Sequence, residues 1–132
     1  MALTFSDVVW NGMLDAVEAV IGASAILKLR SGAAPASLAV ASTGTVVATL
    51  NLPANWMADA TAGAKALLGP WSDSAADATG TVAHFEFCNA GGVPQLRGSV
   101  TATGGGGEIE LQNVNVNVGQ SITITAFNLA KP

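Results

Sequence analysis

Residues 114–129, close to the C-terminal end, alternate apolar and polar side chains on both sides of Gly119 and Gln120. Because successive side chains of a strand point to opposite faces, this alternation is typical of half-buried β-strands. The valines and isoleucines are expected to face a core, with the asparagines and threonines towards water. Gly119 can adopt the positive φ that a tight turn needs. The stretch therefore predicts a C-terminal β-hairpin on which the rest of the chain packs.

Other short segments between glycine- and proline-containing turns also predict strands. They are residues 25–30, 38–41, 46–52, 65–68, 81–89, 94–103 and 108–111. Residues 54–66 are predicted to be a loop or short helix, residues 72–79 a loop crossing between sheets, and residues 104–107 a flexible loop tip. This strand spacing, with no alternation of strand and helix, favours a β-sandwich or a barrel.

The one predicted helix covers residues 6–22, with Ser6 as N-cap and Gly22 as the C-terminal stop. Its main apolar stripe is Phe5, Val9, Met13, Val17 and Val20, and the polar residues Asp7, Asn11, Asp15 and Glu18 fall on the other side. Trp10 and Leu14 lie off that stripe and could contact a partner chain. A wide apolar face on the chain's own sheet is the alternative. The predicted interface residues are Phe5, Trp10, Met13, Leu14 and Val17.

The length of 132 residues suits one domain, residues 1–132, with the helix in 1–23 and the β-sandwich in 24–132. Only 11% of the residues are charged, so the surface favours association and a homo-oligomer is expected. The five basic residues are scattered, so no nucleic-acid partner is expected. No targeting segment and no apolar stretch of membrane-spanning length are recognised, so no membrane partner is expected either.

His84 and Glu86 lie two residues apart on one predicted strand and share a face with Cys88. The pair could begin a metal site, but the chain has one histidine and one cysteine. A solvent-facing or interface pair is the preferred interpretation, with Phe85 and Phe87 in the core on the opposite face. Cys88 cannot form an internal disulfide, and it is expected to be a small buried hydrophobe rather than a nucleophile.

Acidic pairs provide only weak indications of chemistry. Asp73 and Asp77 do not have the spacing of a calcium loop. Glu108 and Glu110 share a strand face, as glycosidase carboxylates can, but the chain has no tyrosine and only three tryptophans to line a cleft.

The glycine run of residues 104–107 is followed by Glu108 rather than by the Lys-Ser/Thr of a phosphate loop. No catalytic, cofactor-binding or metal-binding residue is predicted, and the chain is not expected to be an enzyme.

The three tryptophans, Trp10, Trp56 and Trp71, could form a sugar platform or an interface anchor. Partial burial in the core is the better interpretation for Trp56 and Trp71, since each lies beside a predicted loop.

Short motifs are spread over most of the chain: Met-Ala-Leu-Thr-Phe (1–5), Leu-Lys-Leu-Arg-Ser-Gly (27–32), Ser-Asp-Ser-Ala-Ala-Asp-Ala-Thr-Gly (72–80), His-Phe-Glu-Phe (84–87), Gly-Ser-Val-Thr (98–101) and Ser-Ile-Thr-Ile-Thr-Ala-Phe (121–127). In this combination the chain resembles small virion structural proteins of tailed phages and prophages, some of which are similar to capsid cement, or decoration, proteins. The resemblance implies an antiparallel, jelly-roll-like β-sandwich with one N-terminal α-helix. It implies no catalytic residue and no cofactor.

The expected partners are further copies of the chain and other virion proteins, foremost the major capsid protein. The expected location is the virion, after assembly in the bacterial host cytoplasm.

Two rival functions remain open. One is a receptor- or carbohydrate-binding module of a phage tail fibre, which predicts a surface cluster of aromatic side chains. The other is a small hydrolase that uses His84, which predicts acidic or hydroxyl groups around that imidazole.

Overall fold

The computed structural model describes residues 3–131 and is mainly β with one N-terminal helix, as predicted. The elements are α1 (Asp7–Ile21), β1 (Ile26–Ser31), β2 (Val46–Asn51), β3 (Ala64–Ala66), β4 (Trp71–Asp73), β5 (Gly80–Cys88), β6 (Pro94–Ala102), β7 (Ile109–Leu111), β8 (Asn115–Val116), β9 (Ile122–Ile124) and β10 (Asn128–Ala130). Over the described range, no helix has the length and apolarity needed to cross a membrane. Met1, Ala2 and Pro132 lie outside that range. All three belong to the predicted domain 1–132, and Met1 and Ala2 also belong to the motif of residues 1–5.

The main sheet has the strand order β2-β1-β5-β6-β7, and β8 pairs with the first residues of β5. Two small ribbons, β10 with β3 and β4 with β9, accompany it. The main sheet is curled and mixed, because β7 runs parallel to β6 while the other strand pairs are antiparallel. The prediction of a purely antiparallel arrangement is therefore wrong.

A run of four glycines, residues 104–107, lies between β6 and β7 and accounts for their parallel pairing. Parallel strands ordinarily need a crossover of a dozen or more residues. Gly104 and Gly106 have φ of +88° and +83°, in the left-handed region that favours glycine. A Cβ on Gly105 or Gly107 would press against Thr101 of β6. The glycines thus allow a compact connection in which the chain returns close to the strand it has just left.

The hairpin predicted for residues 114–129 is wrong, although its alternation of buried and exposed side chains is largely observed. β8 pairs with β5 and β9 pairs with β4, so the two halves do not pair with each other. Gly119 has the expected positive φ of +84°, but its N–H donates to the Ala76 carbonyl at 2.8 Å. Val116 and Ile124 are both buried, each beside a strand from an earlier part of the chain. Alternation identifies the buried face of a strand, whereas the partner strand depends on the rest of the core.

Two further local predictions are wrong, and both concern loops. Residues 38–41 form turns rather than a strand, because Arg97 binds the carbonyls of Ser37 and Val40 at 2.8 and 3.0 Å. Residues 72 and 73, predicted to belong to a crossover loop, form part of β4 through pairing with β9. Both differences result from contacts with residues distant in the sequence.

Five aromatic side chains occupy the centre of the core: Trp56, Trp71, Phe85, Phe87 and Phe127. Trp56 stacks on Phe87 with ring centroids 5.2 Å apart, and Trp71 meets the same ring edge-on at 5.7 Å. The Trp71 indole N–H donates to the Trp56 carbonyl at 3.1 Å. Both predicted core tryptophans are therefore confirmed as core residues, and both predicted core phenylalanines are buried with them.

Candidate functional site

Helix α1 begins and ends where its sequence predicts. The Ser6 hydroxyl accepts a hydrogen bond from the Val9 N–H at 3.3 Å, as an N-cap does. Asp7 in the first turn complements the positive end of the helix dipole. Gly22 follows the helix with φ of +99°, and its N–H donates to the Glu18 carbonyl. The helix is thus defined locally at both ends, and only its orientation depends on the rest of the protein.

The polar side of α1 is bound to the body of the protein. Asn11 accepts a hydrogen bond from the Gly63 N–H, and Asp15 accepts one from the Ala60 N–H, both at 2.9 Å. Glu18 accepts a third from the Met57 N–H at 2.7 Å. These three side chains satisfy backbone donors of the loop between β2 and β3, which has few strand partners of its own. They hold the helix in one orientation on that loop.

Lys65 on β3 completes this attachment. Its ammonium group is buried and lies 2.8 Å from Asp15 and 3.2 Å from Glu18. Burial by itself lowers the pKa of Lys65, but the hydrogen bonds to the two carboxylates outweigh burial and raise it. The same hydrogen bond from Lys65 lowers the pKa of Asp15. The helix is therefore fixed by charges that stay paired at neutral pH.

The side of α1 that faces away from the body is apolar. It consists of Val8, Val9, Gly12, Met13, Ala16, Ala19 and Val20, all of them exposed and none charged; we call this surface the outer helix face. Val8 and Val20 are 80% and 76% exposed. A surface helix ordinarily turns such a face to the core. A contiguous exposed apolar surface of this kind marks an interaction site more often than a structural accident.

The five predicted interface residues do not share one surface. Phe5 and Met13 are exposed, and Phe5 packs edge-on against the half-buried Trp10 with centroids 5.6 Å apart. Leu14 is buried, and Val17 packs against the core. The valines at positions 8 and 20 were not among the predicted five. Their exposure follows from the polar contacts that orient the helix, which the local sequence does not reveal.

A second group of polar residues lies on the opposite face of the main sheet from the aromatic core. Glu86 of β5 is fully buried there, and Arg30 of β1 lies 2.6 Å from one of its oxygens. Arg97 of β6 binds the other oxygen at 3.1 Å, and the Ser42 hydroxyl donates to the same carboxylate. Burial alone raises the pKa of Glu86, but the hydrogen bonds from Arg30, Ser42 and Arg97 outweigh it and lower the pKa below its usual value. We call these four residues the buried charge cluster.

The buried charge cluster holds residues 32–45 across this face of the sheet. Arg97 donates to the Ser37 and Val40 carbonyls and, at 2.9 Å, to the Ser42 hydroxyl. His84 and Glu86 are consequently 1% and 0% exposed. The prediction of a solvent-facing or interface pair at these positions is wrong, because sequence alternation does not reveal that a loop covers the second face of a strand.

His84 is bound on one edge only. Its Nδ1 lies 2.8 Å from the Gly32 carbonyl oxygen, while its Nε2 is buried and has no hydrogen-bond partner within residues 3–131. The residue lines a cleft of about 420 Å³ between residues 34–38 and strands β5 and β6. Apart from His84 and Arg97, the polar side chains of the cleft wall are the hydroxyls of Ser37 and Ser99.

The other candidate residues from the sequence have structural partners. Asp73 accepts hydrogen bonds from the backbone N–H groups of Thr49 and Ala75, and Asp77 accepts one from the Thr49 hydroxyl at 2.7 Å. Glu108 accepts from Ser99, which lowers the pKa of Glu108. Glu110 accepts from the Gly106 N–H at 2.9 Å. Within residues 3–131, no group of three or more histidine, cysteine or acidic residues is arranged to hold a metal ion.

Comparison of the chain with protein-family models, with curated proteins and with solved structures gave no match. Two features of the structure then remain, the outer helix face and the cleft beside His84. The first is an exposed apolar surface, and the second is an open cleft beside a buried histidine whose Nε2 has no hydrogen-bond partner among the described residues.

Proposed function

We propose that this chain is a virion structural protein of a tailed phage or prophage, a decoration subunit that stabilises the capsid through protein–protein contacts. The observation that carries the proposal is the outer helix face, an uncharged apolar surface on a helix whose polar side is already bound to the body. A helix held in this way cannot rotate to bury its valines without losing three side-chain bonds to backbone donors. Burial of those valines requires another chain.

The partners proposed are further copies of the chain and a shell protein, most simply the major capsid protein. Gly12 offers no steric barrier to a partner, since nothing lies within 4 Å of the position a Cβ would occupy. Ala16 and Ala19 also have small side chains, so the surface between the flanking valines lies close to the helix backbone. A partner helix or loop can therefore approach the α1 backbone closely. A stable interface needs roughly 800 Å² per partner, so residues outside the helix must contribute as well.

The motif resemblance supplies the phage and capsid part of the proposal, and with it the jelly-roll-like sandwich as the fold class to which the curled sheet would belong. Location in the virion, after assembly in the host cytoplasm, belongs to the same proposal. The tail-fibre alternative has less support, because Trp56 and Trp71 are buried and cannot form a sugar platform. The hydrolase alternative has less support because Nδ1 of His84 bonds the Gly32 carbonyl and, among the described residues, neither a carboxylate nor a hydroxyl is bonded to Nε2.

Solution mass tests the contact surface. We expect light scattering coupled to size exclusion to show a discrete oligomer that the double variant Val9→Glu/Met13→Lys dissociates. The two new side chains are four residues apart and form a favourable helical pair, so the helix itself is preserved. Val93→Glu/Val118→Lys is the matched control, since it places the same charges at valines that are exposed elsewhere. A monomeric wild-type chain at about 100 µM, or equal dissociation by both variants, would contradict self-association through α1.

Particle composition tests the virion assignment separately. Prophage induction in the source bacterium, followed by purification of particles and mass spectrometry, is expected to detect the chain in stoichiometric amounts. Absence from purified particles would overturn the virion assignment, even if the chain self-associates. The two experiments thus distinguish the contact surface from its biological setting.

A further inference from the structure

The cleft beside His84 has the size of a small-molecule site. Its volume of about 420 Å³ lies within the range usual for ligand pockets, roughly 300–1,000 Å³. Most of its wall is made of small apolar residues from both sides: Ala34, Pro35, Ala36, Leu38, Ala83, Leu96 and Gly98. One side is the sheet and the other is residues 34–38. Arg97 donates to the Ser37 carbonyl within this segment and to the Val40 carbonyl just after it, so the cleft wall is anchored by hydrogen bonds.

The hydrogen bond of His84 to Gly32 decides what the other ring nitrogen can do. A carbonyl oxygen only accepts, so Nδ1 carries the proton in that bond. In the neutral ring, Nε2 is then an acceptor, and it lies on the ring edge away from Gly32. Nε2 is buried without a partner among the described residues. Buried acceptors are rarely left unpaired in folded proteins, so this nitrogen is an unfilled bonding position.

The charges around the cleft do not suit a charged ligand. Arg97 is the one charged residue of its wall, and it donates to Glu86, to the Ser37 and Val40 carbonyls and to the Ser42 hydroxyl. The guanidinium group of Arg97 is thus bonded to acceptors of the protein and its charge is paired with Glu86. A lone pair on Nε2 repels an anion, and no carboxylate of the described part of the chain lines the cleft to attract a cation. A neutral ligand is the class that remains.

We propose that this cleft binds a small neutral molecule with an apolar body and one hydrogen-bond donor, an alcohol or a phenol, whose hydroxyl donates to Nε2 of His84. The apolar body lies against the alanine, proline and leucine wall. The inference rests on the cleft and its free acceptor alone, and it does not depend on the outer helix face or on the virion assignment.

Phenol, with benzene as its matched analogue, is the probe. Because the chain contains one histidine, long-range ¹H–¹⁵N correlation spectra report His84 without assignment ambiguity. The free protein is expected to show the Nδ1–H tautomer. Phenol is expected to shift the Nε2 resonance towards the protonated range in a saturable manner, with benzene binding about five- to tenfold more weakly, the factor typical of one net hydrogen bond.

Two variants separate binding in the cleft from other effects. His84→Phe removes the acceptor and keeps an aromatic ring, so the preference for phenol over benzene is expected to disappear. If that variant does not fold, Ala36→Leu tests whether phenol binds in the cleft. Position 36 is exposed on the cleft wall. The larger side chain is expected to weaken phenol binding at least fivefold and leaves the imidazole itself unchanged.

Three results would overturn the proposal: no saturable Nε2 shift with phenol, an equal shift with benzene, or phenol binding that Ala36→Leu leaves unchanged. A fourth would replace it. If the blocked peptide Ala-Tyr-Ala binds more tightly than phenol, the occupant is a partner's side chain and the cleft is a peptide site.

Discussion

The Arg30 guanidinium and the fully buried Glu86 carboxylate lie 2.6 Å apart on adjacent strands, although 56 residues separate them in the sequence. Arg97, on the strand at the other side of β5, binds the second oxygen of the same carboxylate. Each ion would be costly to bury alone, and the arrangement is stable because every oxygen of the carboxylate is hydrogen-bonded. The consequence is that residues 32–45 are anchored by a cluster at whose centre lies the Glu86 side chain.

Replacement of that side chain is expected to be severe. Glu86→Gln leaves two guanidinium groups facing a neutral amide, and we expect it to lower the free energy of unfolding by about 3–5 kcal/mol. Urea unfolding followed by tryptophan fluorescence measures this value. Asp59→Asn, at an exposed carboxylate, is the control and should stay within about 0.5 kcal/mol of wild type. The triple variant Arg30→Met/Glu86→Leu/Arg97→Met should recover much of the loss. A mild effect of Glu86→Gln would show that water reaches the cluster.

Acid is expected to act on the same contacts. The pKa of Asp15 and that of Glu86 are both lowered in the folded protein, from ordinary values of 3.8 and 4.5. A group of this kind stabilises the fold at pH values above its ordinary pKa, and the contribution is lost as the pH falls towards the folded value. We therefore expect stability to be nearly constant between neutral pH and about pH 5 and to fall at lower pH. Urea titrations at several pH values measure this, and the triple variant should show a shallower decline. A stability that rises on acidification would contradict the assignment.

Two glycines offer a matched test of backbone strain. Gly44 and Gly92 have φ of +76° and +80°, so alanine is strained at either position. At Gly44 the added Cβ would also overlap the Ser31 carbonyl, whereas at Gly92 it would meet nothing within 4 Å. Gly92→Ala is expected to cost about 1–2 kcal/mol, and Gly44→Ala clearly more. Thermal unfolding of both variants measures the difference. Equal losses would mean that the β1–β2 connection adjusts freely.

Cys88 is expected to be unreactive in the folded protein. It is fully buried, and burial raises the pKa of its thiol. Because the thiolate is the reactive form, aromatic disulfide reagents should modify Cys88 only as fast as the protein unfolds. Ser74→Cys adds a thiol at an exposed loop position as an internal standard, and it should react at once. Rapid modification of both thiols in native protein would place Cys88 near a solvent path.

Features with local causes were predictable from the sequence, and features that need distant partners were not. Ser6 and Gly22 define α1 through their own hydrogen bonds and dihedral angles, so the helix boundaries follow from local residues. Phe85 and Phe87 alternate with polar residues, so one buried face of β5 follows as well. The partner strand of residues 114–118 does not, since a buried valine fits more than one neighbour.

The candidate sites show the same division. The helical apolar stripe was visible, but the sequence does not say which side faces the body, because that depends on donors at Met57, Ala60 and Gly63. The burial of His84 depends on residues 32–45 crossing the sheet. Such a crossing has no signature in local alternation, since it requires a charged partner on another strand.

The pairing of β3 with β10 and of β4 with β9 has a consequence for synthesis of the chain. Trp71 on β4 is covered only once residues 122–127 have been synthesised, so the aromatic cluster stays open until that part of the chain is available. Folding that depends on contacts so distant in sequence is slow. Until these contacts form, the exposed aromatic side chains make the chain prone to aggregation. A chain that lacks β9 and β10 would therefore leave the aromatic cluster uncovered rather than form a smaller version of the same protein.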